Sequence, residues 1–429
     1  MKTLLKNAKI LVIDKNISVI NGSIVIENNR ITHLGKAIPK FRFDKIINCK
    51  QNLLMPGFKN THAHTPMTFL RGYATSGQLQ EWLFETVFPA EDILIEQSED
   101  IEILTKLGIL EYLKSGITLA FDMYYAPKYI AKAAKELGFR SVILGTIQGE
   151  RQSPEEVKAD FDEFNNYDSL VSYKLGFHAE YTCGPDILVP LSKVVNELKT
   201  PVFTHLSETE HETNDCLKRE GKRPPKHLID LGLFNYGGGG FHCVTFNDED
   251  MALFKKHQLS MITCPGSNSK LASGTPNLRK ALDLGINVSL GTDGPASNDA
   301  LDFFYEMRLL SVVQNLRAKT PNTLSHEEIL RIATINGART LNMNDLSDLS
   351  VGKIADIIMI DLHAPNMLPL NNIPYQIVYA ASKDNILMTM IDGKILYYKN
   401  RFNVGENVNH IYKKAQQITD KIKKKLKKN

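Results

Sequence analysis

The sequence is short of cysteine pairs, of tryptophan, of long apolar runs and of net charge, and each shortage excludes something. Five cysteines stand at positions 49, 183, 216, 243 and 264, an odd number with no CxxC pair. That argues against a disulfide framework and points to reduced thiols in a cytoplasmic protein. No segment approaches the roughly 20 apolar residues of a membrane span. Residues 1–14 mix lysines with short apolar runs and lack a signal-peptide core. Lysines and arginines number 51 against 48 acidic residues, a net charge of +3. The tail 413–429 holds eight lysines and one aspartate, so its +7 leaves the rest of the chain at −4. Such a tail reads as the solvated face of a C-terminal helix, not as a nucleic-acid or membrane surface. With 43% hydrophobic and 23% charged residues over 429 positions, the chain is globular and large enough for a barrel plus an appendage.

The first 54 residues read as short strands broken by turn signals, Asp14-Lys15-Asn16, Asn21-Gly22-Ser23 and Glu27-Asn28-Asn29. A matching set returns near the other end, with an apolar run in 353–361 and a hairpin in 385–398 around Asp392-Gly393. Each set is short for an independent sheet, so the two are expected to pair into one small β-sandwich built from both termini. Between them, apolar strands alternate with helical patterns. After a strand ending near His62, the strand-like runs are 117–121, 140–147, 171–177, 202–204, 237–241, 259–263 and 286–290. Helical patterns such as 102–114, closed by Gly116, separate them. Eight such units imply a closed α/β barrel of the (β/α)8 or TIM type. The expected division is 1–55 for the first part of the sandwich, 56–348 for a metal-dependent barrel, 349–403 for the second part, and 404–429 for the lysine-rich helix.

Thr61-His62-Ala63-His64 follows the apolar run 53–58. Histidines at i and i+2 on one strand project to the same side, and at a strand end both can reach one ion. An isolated HxH is a weak signal, but His205 and Asp293 also follow β-prone runs. Three imidazoles and a carboxylate suit zinc, with iron and manganese also compatible with nitrogen and oxygen donors. His178 and His242 fall at strand ends as well, where a barrel carries its active site. A divalent ion held this way activates water. Asp293 can hold the ion and also take a proton, and His242 can orient the water from beside the ion. Glu208, three residues beyond His205, sits close without being forced to ligate. It could protonate a ring nitrogen and then the leaving amine, the shuttle that deamination needs.

These residues resemble the amidohydrolase superfamily in Thr61-His62-Ala63-His64, His205-Leu206-Ser207-Glu208-Thr209, Phe241-His242-Cys243 and Leu290-Gly291-Thr292-Asp293-Gly294. More narrowly, they resemble the methylthioadenosine/S-adenosylhomocysteine deaminases. Pro66-Met67-Thr68, Leu70-Arg71-Gly72, Glu81-Trp82-Leu83, Pro89-Ala90-Glu91-Asp92, Phe121-Asp122-Met123-Tyr124, Ser267-Asn268 and Met307-Arg308 extend the match. The resemblance implies His62, His64, His205 and Asp293 as metal ligands. It implies Glu91 as the acceptor of ribose hydroxyls, His178 as a nucleoside contact, and Glu208 with Asp293 at the purine edge. On its own Glu91 reads only as a helix-start carboxylate, and Trp82 reads equally as a ligand cover or as core.

The chain also departs from that group. Gly145 stands where an arginine for an anionic tail is expected, Arg151 could supply another, and His178-Ala179-Glu180-Tyr181 adds an acid. Cys264 replaces an expected asparagine. These changes favour a compact or neutral 5′ group. The leading reading is therefore a hydrolytic deaminase of adenine nucleosides: 5′-methylthioadenosine, S-adenosylhomocysteine, 5′-deoxyadenosine or adenosine. The alternative is a related deaminase or chlorohydrolase for guanine, a pterin or a triazine, whose substrates offer Glu91 no vicinal diol. A third class, a non-enzymatic barrel, is disfavoured because all four ligands and Glu208 are present. The expected partner is a small-molecule substrate, with homo-oligomerisation compatible with the sequence.

Overall fold

The computed structural model describes residues 1–73 and 77–427, so the last two positions of the expected C-terminal helix, Lys428 and Asn429, lie outside the described residues. Five strands open the chain: β1 (Lys2–Ile13), β2 (Ile17–Glu27), β3 (Arg30–Gly35), β4 (Lys45–Asn48) and β5 (Leu53–Pro56). Four close it: β14 (Ile357–Ile360), β15 (Ile386–Ile391), β16 (Lys394–Tyr398) and β17 (Arg401–Phe402). The sets merge because β5 lies between β1 and β14, antiparallel to the latter from Leu53↔Ile360 to Pro56↔Ile357. The resulting nine-stranded sheet curls over its own core of Leu5, Ile10, Ile24, Ile31, Leu54, Ile357 and Met388.

Between the two sets run eight parallel strands: β6 (Phe58–Ala63), β7 (Ile117–Met123), β8 (Arg140–Leu144), β9 (Val171–Ala179), β10 (Val202–Leu206), β11 (Gly238–His242), β12 (Ser260–Thr263) and β13 (Asn287–Leu290). They pair in chain order, and helices cross over between them. The seam between β13 and β6 is bridged by the Ala63↔Asp293 pair, with the Asp293 amide donating to His62 O at 3.0 Å. Thr61 Oγ1 donates to Leu290 O at 2.8 Å, and Asn60 Nδ2 to Thr292 Oγ1 at 2.7 Å. The barrel expected from the strand spacing is therefore present. Leu119, Phe121, Leu144, Phe203, Phe241 and Ile262 fill its interior, a packed core as in other barrels of this type.

The apolar run 53–58 serves two sheets, because the chain passes from β5 to β6 at Gly57. A Cβ at Gly57 would lie 2.1 Å from Thr118 Cγ2, so only glycine fits this crossing. Below it, Lys59 Nζ donates to Gly57 O and Thr118 Oγ1, both at 2.9 Å, and burial pulls the amine down to about 8. Arg140, at the start of β8, grips Asp356 at 3.0 and 3.2 Å. These contacts fasten the barrel's lower end to the terminal sheet, leaving the opposite end for the site.

The C-terminal helix Val408–Leu426 buries Ile411, Ala415, Ile418 and Ile422, one stripe at helical spacing. Its lysines face outward, with Lys425 paired to Glu96 at 2.8 Å and Lys421 to Asp100 at 3.5 Å. Among the described residues, no helix is long and apolar enough to cross a membrane.

Candidate active site

The C-terminal ends of the barrel strands carry the chemistry. His62 lies in β6 with His64 just beyond it, His178 in β9, His205 in β10 and His242 in β11, and Asp293 follows β13. Non-glycine residues adopt left-handed backbone at Ser207 (φ 50°), His242 (φ 68°), Cys243 (φ 50°) and Asp293 (φ 61°). Such conformations cost energy and persist where surrounding contacts fix a functional side chain.

One ligating atom each from His62, His64, His205 and Asp293 lie within 4.8 Å of one another, and all four residues are buried. His62 Nε2 and His64 Nε2 are 3.3 and 3.2 Å from Asp293 Oδ1. Backbone carbonyls set the other rings: His64 Nδ1 lies 2.6 Å from Met123 O and His205 Nδ1 lies 2.7 Å from His178 O. Each contact places the proton on Nδ1 and leaves the Nε2 lone pair for the centre. Both ring nitrogens of His62 are buried without a hydrogen-bond partner among the described residues, and the ring stacks on Phe241 at 3.9 Å. An orphaned buried nitrogen in such a cluster fits a cation, since it would otherwise cost free energy.

The electrostatics agree with that fit. Burial pulls His62 down to about 3 and His205 well below the usual imidazole range, so both stay neutral, as ligands must be. Burial alone would raise the Asp293 carboxyl, but the His62 and His64 imidazoles beside it outweigh burial and hold the group ionised. His64 is pushed upward by the same contact, against its burial. Ser297 Oγ donates to Asp293 Oδ2 at 2.8 Å and fixes the carboxylate.

Glu208 and His242 stand beside this cluster. Glu208 is buried and accepts from Ser273 Oγ at 3.4 Å, while its Oε2 lies 3.7 Å from His242 Nε2. Burial pushes its carboxyl upward, toward the range where an acid can carry a proton near neutral pH. His242 is oriented by Asn268, with Nδ1 2.8 Å from Oδ1. Cys264 is fully buried within the same 4.8 Å reach of His62 and His242.

These groups open into one cavity at the C-terminal end of the barrel. Leu79, Trp82, Leu83 and Phe88 cover it, so Trp82 is both core and pocket wall. Glu91 lines the same cavity; it is 2% exposed, and burial pushes its carboxyl up to about 7. Its Oε1 and the neighbouring Tyr124 hydroxyl lack hydrogen-bond partners among the described residues. The two groups lie close enough to act on each other, and a buried carboxyl beside a phenol suits a ligand bearing hydroxyls. His178 lines the same cavity, with Nδ1 3.1 Å from Thr182 Oγ1.

Of the site residues named from sequence, His64, Glu91, His178, His205, Glu208, His242 and Asp293 line this cavity and His62 joins them through the ligand cluster, but two of the departures acquire a different meaning. A Cβ on Gly145 would point at Val157 Cγ1 (2.9 Å), Tyr173 Oη (3.1 Å) and Gly176 O (3.2 Å). Gly145 therefore faces the packing behind β8, where an arginine could not reach the pocket; Thr146 is the residue lining it. Glu180 is not a free acid near the ligand either, because Arg219 pairs with it at 2.7 Å. Arg151 does lie at the mouth. Its guanidinium donates to Tyr125 Oη at 2.8 Å, Gln148 Oε1 at 2.9 Å and Asp92 Oδ1 at 2.5 Å, over the Phe88 ring. Tyr125 and Ser297 were missed, although the first lies two residues past β7 and the second four residues after Asp293.

Comparison with known proteins agrees with this geometry. Residues 53–396 match the Amidohydrolase family. A 5-methylthioadenosine/S-adenosylhomocysteine deaminase of Caldicellulosiruptor saccharolyticus is 34% identical over 406 residues, 94% of either chain. A 5′-deoxyadenosine deaminase of Methanosarcina acetivorans is 35% identical over 403 residues, 92% of either chain. The crystal structure of an adenosine deaminase from Xanthomonas campestris with bound zinc superposes with a TM-score of 0.91 at 28% identity, covering 98% of both chains. A match over most of the barrel, joined to relatives above 30% identity along nearly the whole length, settles the assignment: this chain belongs to the amidohydrolase family.

Proposed function

We propose that this protein is a hydrolytic deaminase of adenine nucleosides that uses one divalent ion, zinc, and works in the cytoplasm. One observation carries the reading: a single cavity is lined by Glu208, by His64, His205 and Asp293 of the His/His/His/Asp cluster, and by the buried Glu91 and Tyr124. The names of the similar deaminases support it, as do three nitrogens and a carboxylate oxygen, a donor set suited to zinc. Five buried free thiols fit a reducing compartment.

In this reading His62, His64, His205 and Asp293 hold the ion. When bound, the ion supplies Lewis acidity that lets water lose a proton near neutral pH. Asp293 receives that proton, and His242 Nε2 orients the attacking oxygen. Glu208 Oε2 delivers a proton to purine N1 as the C6–O bond forms, then helps move one to the exocyclic amine. The C6–N bond breaks, ammonia leaves, and the ring is left with a C6 carbonyl. Glu91 and Tyr124 bind the ribose hydroxyls, and His178 packs beside the nucleoside. The covering side chains exclude bulk water.

The ribose contact has a direct test. Adenosine should exceed 2′,3′-dideoxyadenosine in kcat/KM by at least about tenfold, about 1.4 kcal/mol of lost contact, and Glu91→Gln should shrink that ratio. Equal rates on the two substrates would remove Glu91 from ribose binding.

The 5′ substituent would project toward the mouth, where Phe84, Phe88 and Arg151 line an open vestibule. Arg151 is already paired with Asp92, so a carboxylate-bearing tail must displace that partner. The expected result is a kcat/KM for 5′-methylthioadenosine or 5′-deoxyadenosine at least roughly tenfold above that for S-adenosylhomocysteine. Asp92→Asn should narrow the gap by freeing the guanidinium. A clear preference of the unmodified enzyme for S-adenosylhomocysteine would overturn this account of the mouth.

A further inference from the structure

Glu212 has no part in the chemistry above, yet it is 1% exposed and lies directly behind the proposed proton carrier. It sits in the first turn of the helix Glu210–Glu220, capped by Thr209 Oγ1, which accepts from the Glu212 amide at 3.2 Å. Its side chain turns back toward the end of β10. Oε1 accepts from the Ser207 amide at 2.6 Å and Oε2 accepts from the Glu208 amide at 2.7 Å. Ser207 is the left-handed residue that swings the chain out of the strand. Its carbonyl is held as well, by the Thr245 amide at 3.0 Å and Thr245 Oγ1 at 3.1 Å. Thr245 in turn meets Thr213, the residue after Glu212, with hydroxyls 2.7 Å apart.

We propose that Glu212 is a positioning residue for the deamination: its buried carboxylate clamps the two amides of the Ser207–Glu208 turn and so aims the Glu208 side chain at the substrate ring. The chemistry of the clamp requires a carboxylate. Two adjacent N–H groups need two acceptor oxygens, and carboxylate is the side chain that presents both without adding a donor. Glutamine at the same position keeps the shape but turns an NH2 group toward one of the amides. The turn then relaxes, and Glu208 loses its aim while the histidine cluster, held by other contacts, is left in place. A misplacement of about 1 Å at a reacting group costs on the order of 10²-fold in rate.

The inference rests on the reading of Glu208 as the proton carrier, and a double-mutant cycle on the full-length, metal-loaded enzyme separates the two. Glu212→Gln alone should lower kcat for ammonia release by roughly 10–100-fold, with KM and metal content near those of the parent. In a Glu208→Gln background the same substitution should change kcat less than about twofold, because removing the aim of an absent acid costs little. Hydrogen exchange followed by mass spectrometry should show the peptide spanning Ser207 and Glu208 protected in the parent and exchanging faster in Glu212→Gln. Should Glu212→Gln fail to fold, Thr245→Val, which removes the other side-chain tie on the Ser207 peptide, carries the same cycle. An equal loss of kcat in both backgrounds would overturn the positioning role and leave Glu212 as a stabilising residue. No loss in Glu208→Gln alone would overturn the proton-carrier reading instead.

Discussion

Replacing His64 with alanine should abolish tight metal retention and lower kcat/KM by at least about 10³-fold, roughly 4 kcal/mol. The size follows from where His64 sits. Its Nε2 is 3.2 Å from Asp293 Oδ1, and its Nδ1 is held by Met123 O. The ring therefore has no other orientation that satisfies both nitrogens. Alanine removes one of four donors and leaves a buried anionic Asp293 with one fewer partner. With the ion gone, water keeps its ordinary acidity, and the remaining side chains have no strong nucleophile to direct. Elemental analysis of the parent should find about one divalent ion per chain, the number expected for a single set of this kind. Stripping it with a chelator should stop turnover, and adding zinc back should restore it. Full activity in a metal-free preparation would contradict the assignment of these four residues.

Glu208→Gln is expected to behave differently: the ion stays, and kcat falls by about 10²–10⁴-fold, the range for a missing general acid–base. Glutamine nearly matches the volume of glutamate and can still accept from Ser273 Oγ, so the fold and the cluster have no reason to change. What it lacks is a proton to give. Burial raises the Glu208 carboxyl above its ordinary value, so the protonated form persists to higher pH than in a free side chain. The parent should therefore lose rate as pH rises through that raised value, and Glu208→Gln should not show this limb. Parallel measurement of kcat and bound metal checks both halves. A kcat near that of the parent would return Glu208 to a structural role.

Much of the architecture was legible because barrels repeat a simple pattern. Apolar β-prone runs separated by helical stretches mark the strands, and polar residues just past those runs mark the catalytic end. The terminal sheet was legible from its turn signals. The division expected at 55/56 already falls inside the apolar run 53–58, but why glycine stands at the crossing shows only in the packing of Thr118. Within the site, His62, His64, His205, His242 and Asp293 could be named because strand ends order them. The departures were harder. Position 145 matches an expected arginine in sequence, but side chains alternate along a strand, and this one points behind β8. Glu180 looked like a free acid because its partner, Arg219, lies on a helix 39 residues further along. Glu212 went unread for a related reason: it acts on backbone amides, which leave no trace in residue identity.

The most direct test of the proposed function is ammonia release by the purified, metal-loaded enzyme from one panel: 5′-methylthioadenosine, 5′-deoxyadenosine, adenosine, S-adenosylhomocysteine, guanine and an amino-triazine. Deamination of an adenine nucleoside should be the fastest reaction, at least about tenfold above guanine and the triazine in kcat/KM, and it should fall by about 10²–10⁴-fold in Glu208→Gln. Faster release from guanine or the triazine, or none from any adenine nucleoside, would contradict it.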